Sequence, residues 1–117
     1  MRVAELIDKV DMKALNQVYD KEITGGLVTD LAGEVKTSGK AGHIWVAIQT
    51  DKNGVAAANL VDIAAIVVTE GNNVANDVLQ AADSAQITVC STLMTSWDLV
   101  GGLYALGIRI SPYSPSH

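Results

Sequence analysis

Ile63-Ala64-Ala65-Ile66-Val67-Val68 is an unbroken apolar run with no polar residue at alternate positions. A strand covered on one face alternates, whereas such a run needs cover on both faces, the condition of a central strand in a parallel sheet. Comparable β-prone runs flank it: Leu27-Val28, Ile44-Trp45-Val46-Ala47-Ile48 and Ile87-Thr88-Val89-Cys90, recurring about every 20 residues. Helix candidates lie between them, over Leu31 to Ser38, Val55 to Val61 and Asp77 to Ala85, and a longer one follows from Ser96 to Leu106. That alternation specifies βαβ units. The expected fold is α/β, a compact single domain with a mainly parallel sheet of about four to five strands flanked by short helices. The period belongs to βα units and not to a solenoid.

Outward from this core the signals weaken. Val3, Leu6, Ile7 and Val10 have the i, i+3, i+4, i+7 spacing of a short amphipathic helix, with Glu5, Asp8 and Lys9 outside, expected to pack onto the sheet as a lid. Met12 to Tyr19 is a weaker strand candidate, and Asp20-Lys21-Glu22 is a polar turn. In the last helix Leu99, Val100, Leu103 and Leu106 form the expected buried stripe, Thr95 and Asp98 resemble a capping box, and Gly107 suits the position just past the end. The tail from Ser111 to His117 has two prolines and no apolar period, so it is expected to be extended or disordered beside a domain spanning 1–110.

Composition bounds the function. The 117 residues are 49% hydrophobic yet contain no Phe, so the core must be built from Ala, Val, Leu and Ile, and some apolar surface is expected to be hidden in an oligomer. A net charge of −5 with scattered Lys and Arg excludes a basic nucleic-acid interface. The single cysteine, Cys90, closes an apolar run and reads as a small buried hydrophobe; no intrachain disulfide is possible. Met1 to Val10 lacks a signal-peptide core, and no segment reaches the roughly 20 apolar residues of a membrane span. No membrane partner and a cytoplasmic location are expected.

Ile23-Thr24-Gly25-Gly26-Leu27-Val28-Thr29-Asp30 carries the strongest local peculiarity. Adjacent glycines remove both side chains, so another strand, a second subunit or a ligand can come close to the backbone. Each strand candidate also ends in polar residues: Thr29-Asp30, Gln49-Thr50-Asp51, Thr69-Glu70-Gly71-Asn72 and Ser91-Thr92. In a parallel sheet these ends share the edge where open α/β sheets bind ligands, although capping of the following helices explains the same residue types. Asp30, Asp51 and Glu70 have no spacing that forces them together, so neither a metal site nor a paired-acid site is expected. The Gly25-Gly26 segment lacks the phosphate-loop order, which excludes a Walker-type nucleotidase. His43 and His117 do not have metal-ligand spacing, and no nucleophile elbow is present. Trp45 and Trp97 are core anchors or interface hot spots, with the core the better expectation, and Trp97 lies close enough to the strand ends to touch a ligand.

Lys21-Glu22-Ile23-Thr24-Gly25-Gly26-Leu27-Val28-Thr29-Asp30-Leu31 resembles the DRTGG domain, reinforced by Ile44-Trp45-Val46-Ala47-Ile48-Gln49-Thr50. The resemblance extends through Asp62 to Val68, Ile87 to Thr92 and Gly102 to Ile108, nearly the whole chain apart from the tail. Glu22-Ile23 stands where the family name suggests Asp-Arg, with Asp20-Lys21 placing an acid and a base slightly earlier. The resemblance implies a compact α/β domain, usually non-catalytic, that occurs alone or beside CBS pairs in nucleotide-regulated pyrophosphatases and in phosphotransacetylase-type enzymes, often at a dimer interface.

The expected function is therefore a non-catalytic regulatory or interaction module, a homodimer that binds a partner protein or small effector and needs no cofactor. Its expected contacts are Thr24, Gly25, Gly26, Asp30, Gln49, Thr50, Thr69, Glu70, Ser91 and Trp97. An adenine-nucleotide sensor using Gln49, Thr50, Thr69, Glu70 and Ser91 is the alternative, and a small enzyme of unknown reaction a remote one.

Overall fold

The apolar run lies at the middle of a five-stranded sheet in the computed structural model, which describes residues 1–113. In chain order the elements are α1 (Val3–Lys9), β1 (Lys13–Ala14), β2 (Gly25–Val28), α2 (Ala32–Ser38), β3 (His43–Ala47), α3 (Lys52–Val61), β4 (Ala65–Val68), α4 (Asn76–Ser84), β5 (Thr88–Ser91) and α5 (Ser96–Ala105). The strand order is β1-β5-β4-β3-β2. Strands β2 to β5 are parallel, and β1 pairs antiparallel with β5, placing Lys13 opposite Ser91. The end of the expected tail, 114–117, lies outside the described residues.

Both faces of the sheet are covered, as the unbroken apolar runs require. On one face Trp45, Ala47, Ile66, Val68 and Val89 pack against Val35 of α2, Val55 and Ala58 of α3 and Val78 and Ala82 of α4. On the other, Ile44, Val46, Ala65, Val67 and Cys90 pack against Val3 and Leu6 of α1 and Leu99 and Leu103 of α5. The N-terminal helix thus serves as the expected lid. Val100 leaves the expected stripe and is 36% exposed, because α5 crosses the sheet with a narrow line of contact through Leu99 and Leu103.

Three helices end with one device. Asp62, Gln86 and Gly107 follow α3, α4 and α5 with φ of 61°, 57° and 96°. The next residue then reaches back: Ile63 N–H donates to Ala58 O, Ile87 to Ala82 O and Ile108 to Leu103 O, at 2.9, 2.9 and 3.1 Å. These are Schellman closures, in which an apolar residue just past the turn returns to the core. Isoleucine fills that position each time, and Ile63 and Ile87 are fully buried. The closure after α3 consumes Ile63, so β4 is shorter than the apolar run that announces it.

Two boundaries move for identifiable reasons. Helix α3 begins ahead of its first apolar residue because Asp51 Oδ1 accepts a 2.8 Å hydrogen bond from Gly54 N. The strand expected from Met12 to Tyr19 contracts to β1. Beyond it the Asn16 side chain substitutes for backbone pairing, donating to Ile87 O and accepting from Val89 N at 2.9 and 2.7 Å.

Candidate functional site

The glycine pair opens the edge strand β2, and what approaches it is the chain's own C-terminal run. Gly26 N–H donates to Ile110 O at 2.9 Å, while the Ile110 carbonyl occupies the place a Cβ on Gly25 would take. His43 Nε2 stands 3.2 Å from the same place. His43 is buried, its Nδ1 accepts from Lys40 N at 3.3 Å, and burial pushes its pKa down, keeping the ring neutral. Thr24 is exposed and donates to Ala41 O at 2.7 Å.

The polar strand ends do share the carboxyl edge of the parallel sheet, where most serve the fold. Asp30 Oδ1 accepts from Ile48 N at 2.8 Å, tying the end of β2 to that of β3. Thr69 is fully buried and shares a 2.8 Å hydrogen bond with Ser96 Oγ, joining β4 to the start of α5. Thr50 Oγ1 is buried without a partner among the described residues and stands 2.7 Å from where a Cβ on Gly54 would be, beneath α3. Gln49 and Glu70 are exposed, Glu70 with a positive φ of 62°. Ser91 is half-buried opposite Lys13. Asp30, Asp51 and Glu70 do not converge, and no acidic, His or Cys cluster able to hold a metal exists among the described residues.

Trp45 and Trp97 have separate fates. Trp45 is 1% exposed, with its indole N–H donating to Thr29 O at 2.6 Å. Trp97 is 87% exposed, and with Val100, Gly101 and Tyr104 it forms a second apolar stripe on α5. The i, i+3, i+4, i+7 spacing of these four residues was the available signal; the stripe through Leu99 and Leu103 had already accounted for the helix. Beside the second stripe run two cavities of about 530 and 540 Å³ that share Val28, Val100 and Tyr104, forming one groove along the β2 edge. Its outer part has no charged lining residue.

The one cysteine is not an activated nucleophile. Cys90 is buried, and desolvation raises its thiol pKa to about 12, far from a reactive thiolate at neutral pH. No helix among the described residues is long and apolar enough to cross a membrane.

No family model and no curated protein matches the sequence. Among solved structures, the chain is similar to the CBS and DRTGG domains of the regulatory region of Clostridium perfringens pyrophosphatase, crystallised with the activator diadenosine tetraphosphate. The TM-score is 0.70 at 16% identity, covering 93% of this chain and 50% of that one. The likeness supports a DRTGG/CBS-like α/β fold; the chain spans half of the matched regulatory region.

Proposed function

We propose that this chain is a non-catalytic regulatory or interaction module of the DRTGG type that acts as a homodimer. The observation that carries the reading is the uncharged outer part of the groove along α5 and β2, where Val28, Trp97 and Tyr104 are 56%, 87% and 57% exposed. Such a patch costs solvation while bare and is matched by an equally apolar surface, which a second copy provides about a twofold axis. Edge strand β2 lies alongside, so the glycine segment adjoins the proposed interface. The regulatory role of the similar pyrophosphatase region points the same way.

Sedimentation equilibrium tests this. The wild-type mass is expected to be that of a dimer, and Val100→Asp is expected to give a monomer with unchanged helix content. A monomeric wild type, or a dimer indifferent to Val100→Asp and Trp97→Ala, would remove the proposal.

A second reading, adenine-nucleotide sensing, draws on the nucleotide activator bound by the similar structure. Its candidate contacts are Gln49, Thr50, Thr69, Glu70 and Ser91. Thermal unfolding with AMP, ATP and dinucleotides tests it, since a ligand at 100 times its Kd stabilises the folded state by about 2.7 kcal/mol. No shift with any of them would eliminate it.

A further inference from the structure

The chain leaves β4 and β5 toward opposite faces of the sheet. After β4 it passes to α4, which packs with Ile66, Val68 and Val89; after β5 it passes to α5, which packs with Val46, Val67 and Cys90. Adjacent parallel strands whose connections diverge in this way open a crevice beyond their carboxyl ends, the usual ligand position in open α/β sheets. Strands β2, β3 and β4 all send their following helices to one face, so only the β4/β5 pair of the parallel strands meets this condition.

A cavity of about 420 Å³ lies at that point, within the range of small-ligand sites. One wall is the loop Gly71 to Val74 after β4, another is Ser91 to Leu93 after β5, and the outer wall is β1. Gly71 N–H donates to Thr92 O and Glu70 N–H to Met94 O, both at 2.9 Å, so the two loops are tied together and the walls are already in place. Leu15, Val74 and Leu79 are only partly buried against the core and supply an apolar surface.

The polar lining comprises Asp11, Lys13, Asn72, Asn73, Ser91 and Thr92, and two of these, Lys13 and Ser91, are paired across β1 and β5. Val89 faces the α4 side of the sheet and Cys90 the other, so strand alternation returns Ser91 to the α4 side. Ala14 and Leu15 fix β1 in the same way, placing Lys13 on the α4 side directly opposite Ser91. The Lys13 ammonium, the Ser91 hydroxyl and the Asn73 amide make no hydrogen bond or ion pair with the described residues, although all three residues line the cavity. We infer that the β4/β5 crevice is a binding site for a small organic monoanion with an apolar body, its negative group held by Lys13 and Ser91 and its body resting on Leu15, Val74 and Leu79. A polyphosphate does not fit this chemistry, because Lys13 is the only cation in the lining and Asp11 stands in the same wall. The inference rests on the regulatory reading in that it names the effector class, but the site itself does not require the dimer.

The test is an amide NMR titration of the full chain with benzoate and with 3-methyl-2-oxobutanoate, using benzyl alcohol as the uncharged control and AMP as the phosphate-bearing one. Both carboxylates are expected to shift the amides of Lys13, Asn73, Leu79 and Ser91, with Kd near or below about 1 mM. Lys13→Met is expected to weaken the effect at least about tenfold, and Lys13→Arg to retain it. Equal shifts with benzyl alcohol, a preference for AMP, shifts that survive Lys13→Met, or no shift up to about 10 mM would each overturn the site. Sedimentation of the same samples keeps the outcome separate from the dimer proposal: a dimer with an empty crevice sinks only the site, and a monomer that binds the carboxylates sinks only the dimer.

Discussion

The carbonyl of Ile110 takes the space that a side chain on Gly25 would need. The same carbonyl accepts from Gly26 N–H, so the run after α5 closes part of the free edge of β2. An exposed strand edge invites pairing with other chains, and covering it is a common remedy.

Gly25→Ala is therefore expected to displace this C-terminal run. The methyl group would gain a little from reduced backbone freedom but would meet a carbonyl, for a net loss of about 1–2 kcal/mol. Gly26→Ala meets only Ile44 O, at 3.1 Å, and should lose less. Urea unfolding gives the two losses, and hydrogen exchange at Gly26 shows whether its bond to Ile110 has opened. Equal losses with a protected Gly26 amide would contradict this account.

Burial lowers the pKa of His43 beside Gly25, so the folded state resists protonation. Its contribution to stability is complete above the unfolded-state value of about 6.5 and is lost as pH falls from there through the lower folded-state value. Wild-type stability should decline over that acidic interval, and His43→Gln should flatten the decline. Urea midpoints between pH 7 and 5 measure both curves; parallel curves would assign the decline to other groups.

Cys90 should behave as a core residue. With its thiol pKa raised to about 12, alkylation of the native protein at pH 8 should proceed only through opening of the sheet. Labelling rates are expected to rise with urea in parallel with unfolding. Rapid labelling of the native protein would mean that the β5 region opens locally.

The parallel sheet, its central strand and the helix alternation were legible because burial on both faces writes itself into composition. Trp45 and Trp97 mark the limit of that reading. Each is a large apolar residue in a β-prone or helical stretch, and only tertiary placement separates them: Trp45 lies on the sheet face covered by α2, α3 and α4, whereas Trp97 lies on the side of α5 turned away from Leu99 and Leu103. The polar strand ends do share the carboxyl edge that the βα order implies, and there Asp30 and Thr69 are engaged within the fold. That Lys13 lies opposite Ser91 was out of reach, because the weak strand that carries Lys13 gives no register from sequence. The covering of the glycine pair by Ile110 was equally out of reach, since it joins residues far apart in the chain.

Gln86 holds a positive φ of 57° at the end of α4, where its neighbours in role are Asp62 and Gly107. A side chain with a Cβ pays a steric penalty in the left-handed region that glycine avoids. Gln86 is exposed, and the bonds that close the turn come from backbone groups, Gln86 N–H to Asp83 O at 3.0 Å and Ile87 N–H to Ala82 O at 2.9 Å, so glycine preserves them. Gln86→Gly is expected to stabilise the protein by about 0.5–1 kcal/mol, the relief of strain being partly offset by the greater freedom of glycine in the unfolded chain. Asp62→Gly should gain less, because it also removes the exposed Lys21 ion pair at 3.5 Å. Urea midpoints rank the two variants; a destabilised Gln86→Gly protein would show that the side chain, and not the turn geometry, sustains this closure.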